Sequence, residues 1–228
     1  MDNNLIFDLG YHNGKSTINF LNEGYKIIAV ECSPVMVDYI RTHYESELNT
    51  NQIILVDKAI TDKDNDIVDF YICNYISVWS SCNPEIPYRR NDNVTKIQVP
   101  TITLKSLIQE YGCPYYCKID IEGNDAIAIK SIIGLSEIPK FISAESECTN
   151  YENRNSIDPY EVLDAMKDAG YTQFSIIEWD NKGNNVAMSL EGIVFKDYNI
   201  IKSRIATLRE QYDFENKLHF WIDIIATY

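Results

Sequence analysis

The start of the chain combines a glycine turn with an acidic residue about twenty positions further on, which is the spacing of a nucleoside-binding fold. Residues 4–9 are predicted to form a strand that ends at a turn beginning with Gly10. Residues 14–23 are predicted to form a helix, and residues 26–31 a second strand that ends at Glu31. In such a unit the carboxylate after the second strand binds the ribose hydroxyls of a cofactor. The sequence therefore predicts an enzyme built around a nucleoside-containing cofactor.

The glycine turn distinguishes among three classes of cofactor site. A dinucleotide fold has the pattern G-x-G-x-x-G, whereas this chain has Gly10 and Gly14 and lacks the middle glycine. A phosphate-binding P-loop ends in G-K-[ST], which residues 14–16 match, but its first glycine falls on Leu9 and the loop is one residue short. The pattern Asp8-x-Gly10-x-x-x-Gly14 fits a site for S-adenosylmethionine (SAM), since glycine lets the backbone approach the cofactor. For this motif alone, a tight turn without a ligand is the alternative.

The rest of the sequence alternates helical segments with short apolar runs, which predicts an α/β fold with a mostly parallel sheet and helices on both faces. Ser33 and Pro34 are predicted to begin one helix, and Thr103 to cap another. The further predicted strands are residues 53–56, 67–72, 115–121, 141–144, 171–178 and 190–195, and the further helices are residues 104–111, 125–133 and 159–169. Residues 219–228 are predicted either to add a strand or to dock on the sheet.

Composition limits the partners that this chain can have. Its 228 residues predict a single domain over residues 1–228, with an insertion at about 66–100 and a C-terminal extension at about 197–228. The net charge of −14 disfavours a nucleic-acid partner. No stretch approaches the ~18–20 apolar residues of a membrane span, and the start lacks the basic region of a signal peptide. The six cysteines lack zinc-site spacing and are predicted to be reduced thiols in a cytoplasmic protein. The oligomeric state is not predicted.

The insertion contains a long polar stretch, residues 74–93, of the kind that often carries function in a compact domain. We predict that Trp79, Ser80, Ser81 and Tyr88 bind the substrate. Aromatic faces pack against the apolar faces of a ligand, and hydroxyls bond its polar edges. Ordinary loop packing is the alternative, and it is a strong one for Tyr88.

Two motifs, in this order, carry a resemblance to a known family. Residues 7–14 (Phe-Asp-Leu-Gly-Tyr-His-Asn-Gly) resemble the first motif of the FkbM-family methyltransferases, Phe-Asp-(Val/Ile)-Gly-Ala-Asn-x-Gly. Residues 118–123 (Lys-Ile-Asp-Ile-Glu-Gly) closely resemble that family's Lys-Ile-Asp-(Val/Ile)-Glu-Gly signature. Residues 56–62 are similar to the segment that flanks the adenine in the family, and the resemblance extends over residues 4 to about 180. It departs at Tyr11 and His12, where alanine and asparagine are usual.

The resemblance implies a Rossmann-like class I methyltransferase with a seven-stranded sheet and an antiparallel last strand. It also implies SAM-dependent O-methyl transfer, commonly onto sugars or other small hydroxylated acceptors. The residues predicted to bind SAM are Asp8, Gly10, Tyr11, Asn13, Gly14, Ser16, Glu31, Cys32, Asp57, Lys58, Ala59 and Asp120.

The candidate catalytic residues are mostly acidic. Asp120 and Glu122 lie two apart at the carboxyl end of a predicted central strand, so they share a face at the edge where such sheets hold ligands. Glu145 and Glu147 repeat this arrangement after the next strand. Because a hydroxyl acceptor benefits from a general base, we predict Asp120, Glu122, Glu145 and His12 as catalytic residues, with Asp120 ranked above His12. Oxygen ligands at Asp120 and Glu145 would also suit Mg²⁺, with solvated or helix-capping carboxylates as the alternative.

The leading hypothesis is a SAM-dependent O-methyltransferase that acts on a hydroxyl of a sugar or glycan. Two alternatives stay open: a methyltransferase for a non-sugar small molecule, and a catalytically silent SAM-binding module. The presence of Asp8, Glu31, Asp120 and Glu122 argues against the silent module.

Overall fold

The computed structural model describes residues 2–89, 93–147, 158–177, 190, 192–214 and 221–228. The strands are β1 (Asp2–Leu9), β2 (Lys26–Val30), β3 (Ile53–Val56), β4 (Ala59–Ile60), β5 (Ile67–Cys73), β6 (Val94–Ile102), β7 (Pro114–Ile119), β8 (Phe141–Glu147), β9 (Gln173–Ile177) and β10 (Trp221–Thr227). Seven of them form one sheet in the order β3-β2-β1-β7-β8-β10-β9. The pairs from β3 through to β8 are parallel, and β10 is antiparallel to both of its neighbours. The predicted mostly parallel sheet with an antiparallel last strand is confirmed.

Helices cover both faces of this sheet. They are α1 (Ile18–Asn22), α2 (Pro34–His43), α3 (Glu45–Asn49), α4 (Leu104–Tyr111), α5 (Asp125–Lys130), α6 (Glu161–Asp168) and α7 (Tyr198–Phe214). Side chains alternate along the central strand β1, as they must in a strand. Leu5, Phe7 and Leu9 pack in the core that contains residues of α4 to α7, and Ile6 packs in the core that contains residues of α1 and α2. None of the helices in the described ranges has both the length and the apolar character needed to span a bilayer.

One strand of the main sheet lies at a different place in the sequence from the one that was predicted. The described residues between 190 and 195 contain no strand, and the neighbouring Lys196 makes only an isolated bridge to Phe174. The prediction of a strand at 190–195 is therefore wrong, and the seventh strand is β10, between β8 and β9. Burial explains the choice, because Val194 is 64% exposed whereas Ile224 and Ile225 are fully buried. Residues 178–189, 191 and 219–220, which fall in or near these predicted strands, lie outside the described residues.

The first helix is shorter than predicted, because α1 begins at Ile18 instead of residue 14. Gly14 has a φ of 74°, which no helix residue adopts. The Thr17 hydroxyl donates to the Asp8 carboxylate at 2.7 Å, so the residue directly before α1 is hydrogen-bonded to the end of β1. Thr103 caps α4 as predicted, and its hydroxyl accepts the Ser106 N–H at 3.0 Å.

Strands β5 and β6 of the insertion form a second, three-stranded sheet with β4, in the order β4-β6-β5. Strands β5 and β6 pair antiparallel from Ile67 opposite Pro100 to Cys73 opposite Val94. The connection between them contains two 3₁₀ turns, Ser77–Trp79 and Pro87–Arg89. The polar stretch predicted to be irregular thus lies at the tip of the hairpin that β5 and β6 form.

Candidate active site

The turn after β1 brings the backbone against the end of β7. Gly10 has a φ of 81°, in the left-handed region that favours glycine. A Cβ on Gly10 would lie 1.8 Å from the carbonyl oxygen of Asp120, so no side chain fits there. The N–H groups of Gly10 and Tyr11 both donate to the Val30 carbonyl at 3.0 Å. The turn is therefore held between β7 and β2 at the carboxyl edge of the sheet.

Glu31, directly after β2, is a nearly buried carboxylate with 8% of its surface exposed. Its Oε1 accepts the N–H groups of Cys32 at 2.9 Å and Ser33 at 2.8 Å, and its Oε2 accepts the N–H of His12 at 2.9 Å. Burial raises the pKa of this carboxyl, and the three backbone hydrogen bonds oppose the rise. Because a carboxylate oxygen can accept two hydrogen bonds, Oε2 retains the capacity to accept a ribose hydroxyl.

Lys118, near the end of β7, links two carboxylates beneath the turn. Its Nζ lies 3.2 Å from Asp8 Oδ1 and 3.4 Å from Asp120 Oδ2, and it donates to the Gly10 carbonyl at 3.1 Å. Burial acts to lower the pKa of Lys118, but the carboxylates of Asp8 and Asp120 outweigh it and leave that pKa raised. Burial raises the pKa of Asp8, against the opposing effects of Lys118 and Thr17. The lysine therefore stays charged and fixes both the turn and Asp120.

A cleft of about 690 Å³, counted to its open mouth, lies above this edge of the sheet. Nine of the predicted site residues line it: Gly10, His12, Glu31, Cys32, Lys58, Ala59, Ser80, Asp120 and Glu122. Further residues that were not predicted as site residues also line the cleft, namely Val30, Ser33, Met36, Ile60, Phe70, Ser77, Val78, Cys82, Ile121 and Asn124.

Apolar lining residues such as Met36 and Phe70 give no signal in the sequence, because they resemble ordinary core residues. Lys118, which the prediction also misses as a site residue, does give one. It is a lysine near the end of an otherwise uncharged buried strand, and lysine is almost never fully buried unless it is paired. That position predicts a carboxylate partner.

Several predicted cofactor residues shape the turn without lining the cleft. Tyr11 is buried and packs edge-to-face on Tyr44, with ring centroids 5.7 Å apart. A Cβ on Gly14 would lie 2.5 Å from the Tyr11 hydroxyl, so the position of the Tyr11 ring requires a glycine at residue 14. The carbonyl of Asn13 accepts the Tyr44 hydroxyl at 2.9 Å, and Ser16 lies half-buried in the same turn. Asp8, fully buried below them, is likewise not part of the lining.

Three other predicted residues lie away from the cleft lining. Asp57 pairs with Arg41 at 3.4 Å on the surface. Tyr88 is 47% exposed, and its ring contacts that of Tyr71 edge-to-face with centroids 6.3 Å apart. Trp79 is half-buried in the 3₁₀ turn next to the lining residue Val78. Their assignment to cofactor or acceptor binding stays a prediction.

The insertion contacts the cleft from both sides. On one side, His12 Nε2 lies 3.0 Å from Ser77 Oγ. On the other side, the Ser81 hydroxyl donates to the Glu122 carbonyl at 2.6 Å. Burial lowers the pKa of His12, and the nearby Lys118 charge lowers it further, so this imidazole is neutral at pH 7. The insertion therefore forms one wall of the cleft and is anchored to both loops of the carboxyl edge.

Three carboxylates meet where β7 and β8 end. Asp120, Glu122 and Glu145 each place one oxygen within 4.8 Å of the others, and we call them the carboxylate cluster. The register explains the contact, because the last β7 residue, Ile119, pairs with Ala144 and so places Asp120 beside Glu145. Burial raises the pKa of Glu145, and the charges of Glu122 and Asp120 raise it further. The cluster can therefore hold a proton at a pH where isolated carboxyls are ionised.

Asp125, at the start of α5, lies next to the cluster and is 4% exposed. Burial, followed by the charge of Asp120, raises the pKa of Asp125 to about 7. Its Oδ2 accepts the Gly123 N–H at 3.2 Å, which ties the loop after β7 to α5. The side chain of Glu147, the fourth acidic residue of the predicted arrangement, lies outside the described part of the chain.

The residues of the cleft fit an adenosine group. Met36, Ile60 and Phe70 offer apolar surface suited to a purine ring. Glu31 presents an acceptor for the ribose, and the absence of a Cβ at Gly10 lets the backbone approach the ligand. Because these groups lie at the carboxyl edge of a doubly wound sheet, fold and site together define a Rossmann-like protein with a site suited to a nucleoside-containing cofactor.

A family model described as the methyltransferase FkbM domain matches residues 8–173 of the chain. The chain therefore belongs to the FkbM methyltransferase family. This match confirms the family to which the sequence motifs pointed, and it makes SAM-dependent methyl transfer the class of activity. A comparison with curated proteins found no match.

Solved structures share the fold at low sequence identity. The geranyl diphosphate C-methyltransferase from Streptomyces coelicolor A3(2), in complex with Mg²⁺, geranyl diphosphate and S-adenosyl-L-homocysteine, gives a TM-score of 0.51 at 10% identity, over 99% of this chain and 72% of that one. Residues 961–1257 of StiE O-MT give a TM-score of 0.50 at 7% identity, over 98% of this chain and 67% of that one. Identities this low show the class I methyltransferase fold alone.

Replacing Glu31 by alanine is expected to weaken binding of SAM or S-adenosylhomocysteine by roughly 10- to 150-fold. The reason is the loss of a charge-assisted hydrogen bond to the ribose, worth ~1.5–3 kcal/mol. Calorimetry with S-adenosylhomocysteine measures the change, and Glu161→Ala, which removes an exposed carboxylate that pairs with Lys130, is the control. Unchanged affinity in Glu31→Ala, or tighter binding of ATP or NAD than of SAM by the wild type, would contradict the assignment.

Proposed function

We propose that this methyltransferase transfers the methyl group of SAM to a hydroxyl oxygen of a sugar or glycan. The observation that carries the proposal is the placement of Asp120. Its side chain is 41% exposed and lines the cleft, while its Oδ2 is held 3.4 Å from Lys118 Nζ. A hydroxyl is a weak nucleophile that needs a base to remove its proton. A fixed carboxylate at the open edge of a SAM cleft supplies that base.

SAM supplies an electrophilic methyl group on its sulfonium sulfur, so the protein's task is to orient and to accept a proton. Glu31 and the Gly10 turn hold the nucleoside end, which fixes the direction of approach. Lys118 orients Asp120 through Oδ2, which leaves Oδ1 as the atom that accepts the acceptor's hydroxyl proton.

Of the other predicted catalytic residues, Glu145 and His12 are the alternative bases, and both rank below Asp120. Glu145 belongs to the cluster but does not line the cleft. His12 lines the cleft as a neutral imidazole, but its Nε2 lies at hydrogen-bond distance from Ser77. Asp120 combines the lining position with a cationic partner, and for that reason we assign it the proton transfer.

The insertion supports a sugar as the acceptor. Ser80 lines the cleft, and Trp79 and Tyr88 lie on the same segment with aromatic surface suited to the apolar face of a sugar ring. Ser81 is the exception, because its buried hydroxyl already bonds the Glu122 carbonyl and the Asn83 N–H. A net charge of −14 favours a neutral acceptor over a polyanion, and the same charge supports the absence of a nucleic-acid partner.

Incubation with SAM and a panel of acceptors tests the function. The panel contains neutral sugars, nucleotide-linked sugars, and non-sugar alcohols and amines, and mass spectrometry locates the added methyl group. We expect one methyl group on a carbohydrate oxygen. A methyl group on nitrogen or on a non-sugar acceptor would favour the small-molecule alternative, and SAM binding without turnover on any acceptor would favour the silent module.

We also propose that the carboxylate cluster binds Mg²⁺, since its three oxygen donors lie within 4.8 Å of one another. EDTA is then expected to lower turnover, and added Mg²⁺ to restore it. Calorimetric titration of Mg²⁺ into the protein provides a readout that does not depend on activity, with Glu145→Gln as the variant that removes a ligand without changing the cleft lining. Turnover that ignores both EDTA and Mg²⁺, together with no Mg²⁺ binding, would contradict this site.

The location that we propose is the cytoplasm. The described cysteines, Cys32, Cys73, Cys82, Cys113 and Cys117, are free thiols, as is usual in a reducing compartment. Cys148 lies outside the described residues.

A further inference from the structure

Ser81 connects the insertion to the loop after β7 through a buried side chain. It is 1% exposed, and its hydroxyl donates to the Glu122 carbonyl at 2.6 Å while accepting the Asn83 N–H at 2.9 Å. The backbone of Ser81 is itself fixed, since it exchanges two hydrogen bonds with Tyr71 of β5, at 2.9 and 3.1 Å. The hydroxyl is thus presented to Glu122 from a rigid support.

Glu122 has a backbone conformation that needs such a support. Its φ is 52°, in the left-handed region that residues with a side chain rarely adopt, and Gly123 follows with a φ of 97°. A residue of this kind persists where the surrounding structure holds it. The insertion also packs on the next position, because a Cβ on Gly123 would lie 2.8 Å from Ile86 Cδ1. On the other side, the Gly123 N–H donates to Asp125.

We propose that Ser81 is a positioning residue, whose hydroxyl holds the backbone of Glu122 so that the Glu122 carboxylate stays within the carboxylate cluster. The proposal rests on the proposed function, because the position of Glu122 matters here only if Glu122 belongs to the site of methyl transfer. Ser81 itself does not line the cleft, so it acts through Glu122 and not by contact with the acceptor. This role replaces the acceptor contact that the sequence predicted for Ser81.

The position of Glu122 has a consequence that can be measured. Glu122 and Asp120 both line the cleft, whereas Ser81 does not. If the Glu122 backbone is released, a carboxylate beside the proposed base moves, while Glu31 and the Gly10 turn, which are proposed to hold the nucleoside, keep their contacts. Loss of the Ser81 hydroxyl should therefore lower kcat without changing SAM affinity.

The test compares Ser81→Ala with Thr101→Val. Thr101 is fully buried in β6, and its hydroxyl likewise joins a carbonyl, that of Lys63 at 2.8 Å, to an N–H, that of Asp66 at 3.0 Å. Both variants therefore lose a buried hydroxyl with two backbone partners, but only Ser81 contacts the loop of the cluster. We expect Ser81→Ala to lower kcat by about 10- to 100-fold and to leave SAM affinity unchanged. Thr101→Val should lose stability but keep kcat.

A double-mutant cycle with Glu122→Gln shows whether Ser81 acts through Glu122. We expect Ser81→Ala to have little further effect on kcat in the Glu122→Gln background. An undiminished loss in that background would overturn the proposal, as would a wild-type kcat in Ser81→Ala or an equal loss of kcat in Thr101→Val. If Ser81→Ala does not fold, Ser81→Cys, which keeps a weak donor of similar size, takes its place.

Failure of the proposed function is recognised separately. In that case the wild type methylates no acceptor, and the backbone at Glu122 is followed by NMR hydrogen exchange of the Glu122 and Gly123 amides in the wild type, Ser81→Ala and Thr101→Val. Faster exchange of these amides in Ser81→Ala alone supports the role of Ser81 whatever the reaction is. Unchanged exchange in Ser81→Ala overturns it.

Discussion

Asp120→Asn is expected to lower kcat by about 10²–10⁴-fold, the usual contribution of a general base, while the protein still folds and binds SAM. Asparagine keeps the shape of the side chain and can accept a hydrogen bond from Lys118, so the turn and Glu31 stay in place. It cannot take the acceptor's proton at Oδ1. Turnover at saturating SAM measures the loss, and calorimetry with S-adenosylhomocysteine measures the retained affinity.

Asp125→Asn is the matched control for Asp120. It removes a second carboxyl from the same loop region, but one that does not line the cleft and whose pKa is raised to about 7. We expect it to keep most of the turnover. Equal losses in the two variants would mean that negative charge in general, and not proton transfer by Asp120, supports the reaction. Wild-type turnover in Asp120→Asn would move Glu145 or His12 into the role of base.

Gly10→Ala is expected to destabilise the fold by roughly 4 kcal/mol or more, and to abolish SAM binding in any protein that still folds. Its new Cβ would lie 1.8 Å from the Asp120 carbonyl, which is backbone and cannot rotate away. The turn would have to leave β7, and Lys118 would lose its contact with the Gly10 carbonyl. Denaturant unfolding and calorimetry with S-adenosylhomocysteine measure the two effects.

Gly24→Ala separates this clash from backbone strain. Gly24 has a φ of 88°, close to that of Gly10, but nothing lies within 4 Å of its added Cβ. It should therefore cost only the strain of the left-handed conformation, about 1–2 kcal/mol, and leave SAM affinity unchanged. If Gly10→Ala were no more damaging than Gly24→Ala, the close packing of the turn on β7 would not be essential.

The local parts of the fold and the site could be predicted from the sequence. The strand before Gly10, the turn at Gly10 and the carboxylate at Glu31 are short-range patterns, and the structure places them together. The contact of Asp120 with Glu145 follows from two neighbouring parallel strands that end at the same edge. The residues at the ends of two such strands can therefore be predicted to lie close together without any knowledge of side-chain contacts.

The remaining features depend on contacts between distant segments. An apolar run at 190–195 looks as much like a strand as the run at 221–227, and only pairing with both β8 and β9 selects the second. Ser81 looks like an ordinary serine in a polar stretch until the hairpin folds back and buries it against Glu122. Lys118 acquires its role only because Asp8 and Asp120 converge on it.

The position of β10 has a consequence for the order in which the molecule assembles. Within the described residues, β9 joins the main sheet only through β10, although β9 precedes β10 by more than forty residues. A ribosome must therefore complete the chain as far as Thr227 before β9 has its neighbour. Until then, the edge of β8 presents unpaired backbone groups of the kind that invite association with other chains. We therefore expect slow synthesis or premature release of the chain to favour aggregation over folding.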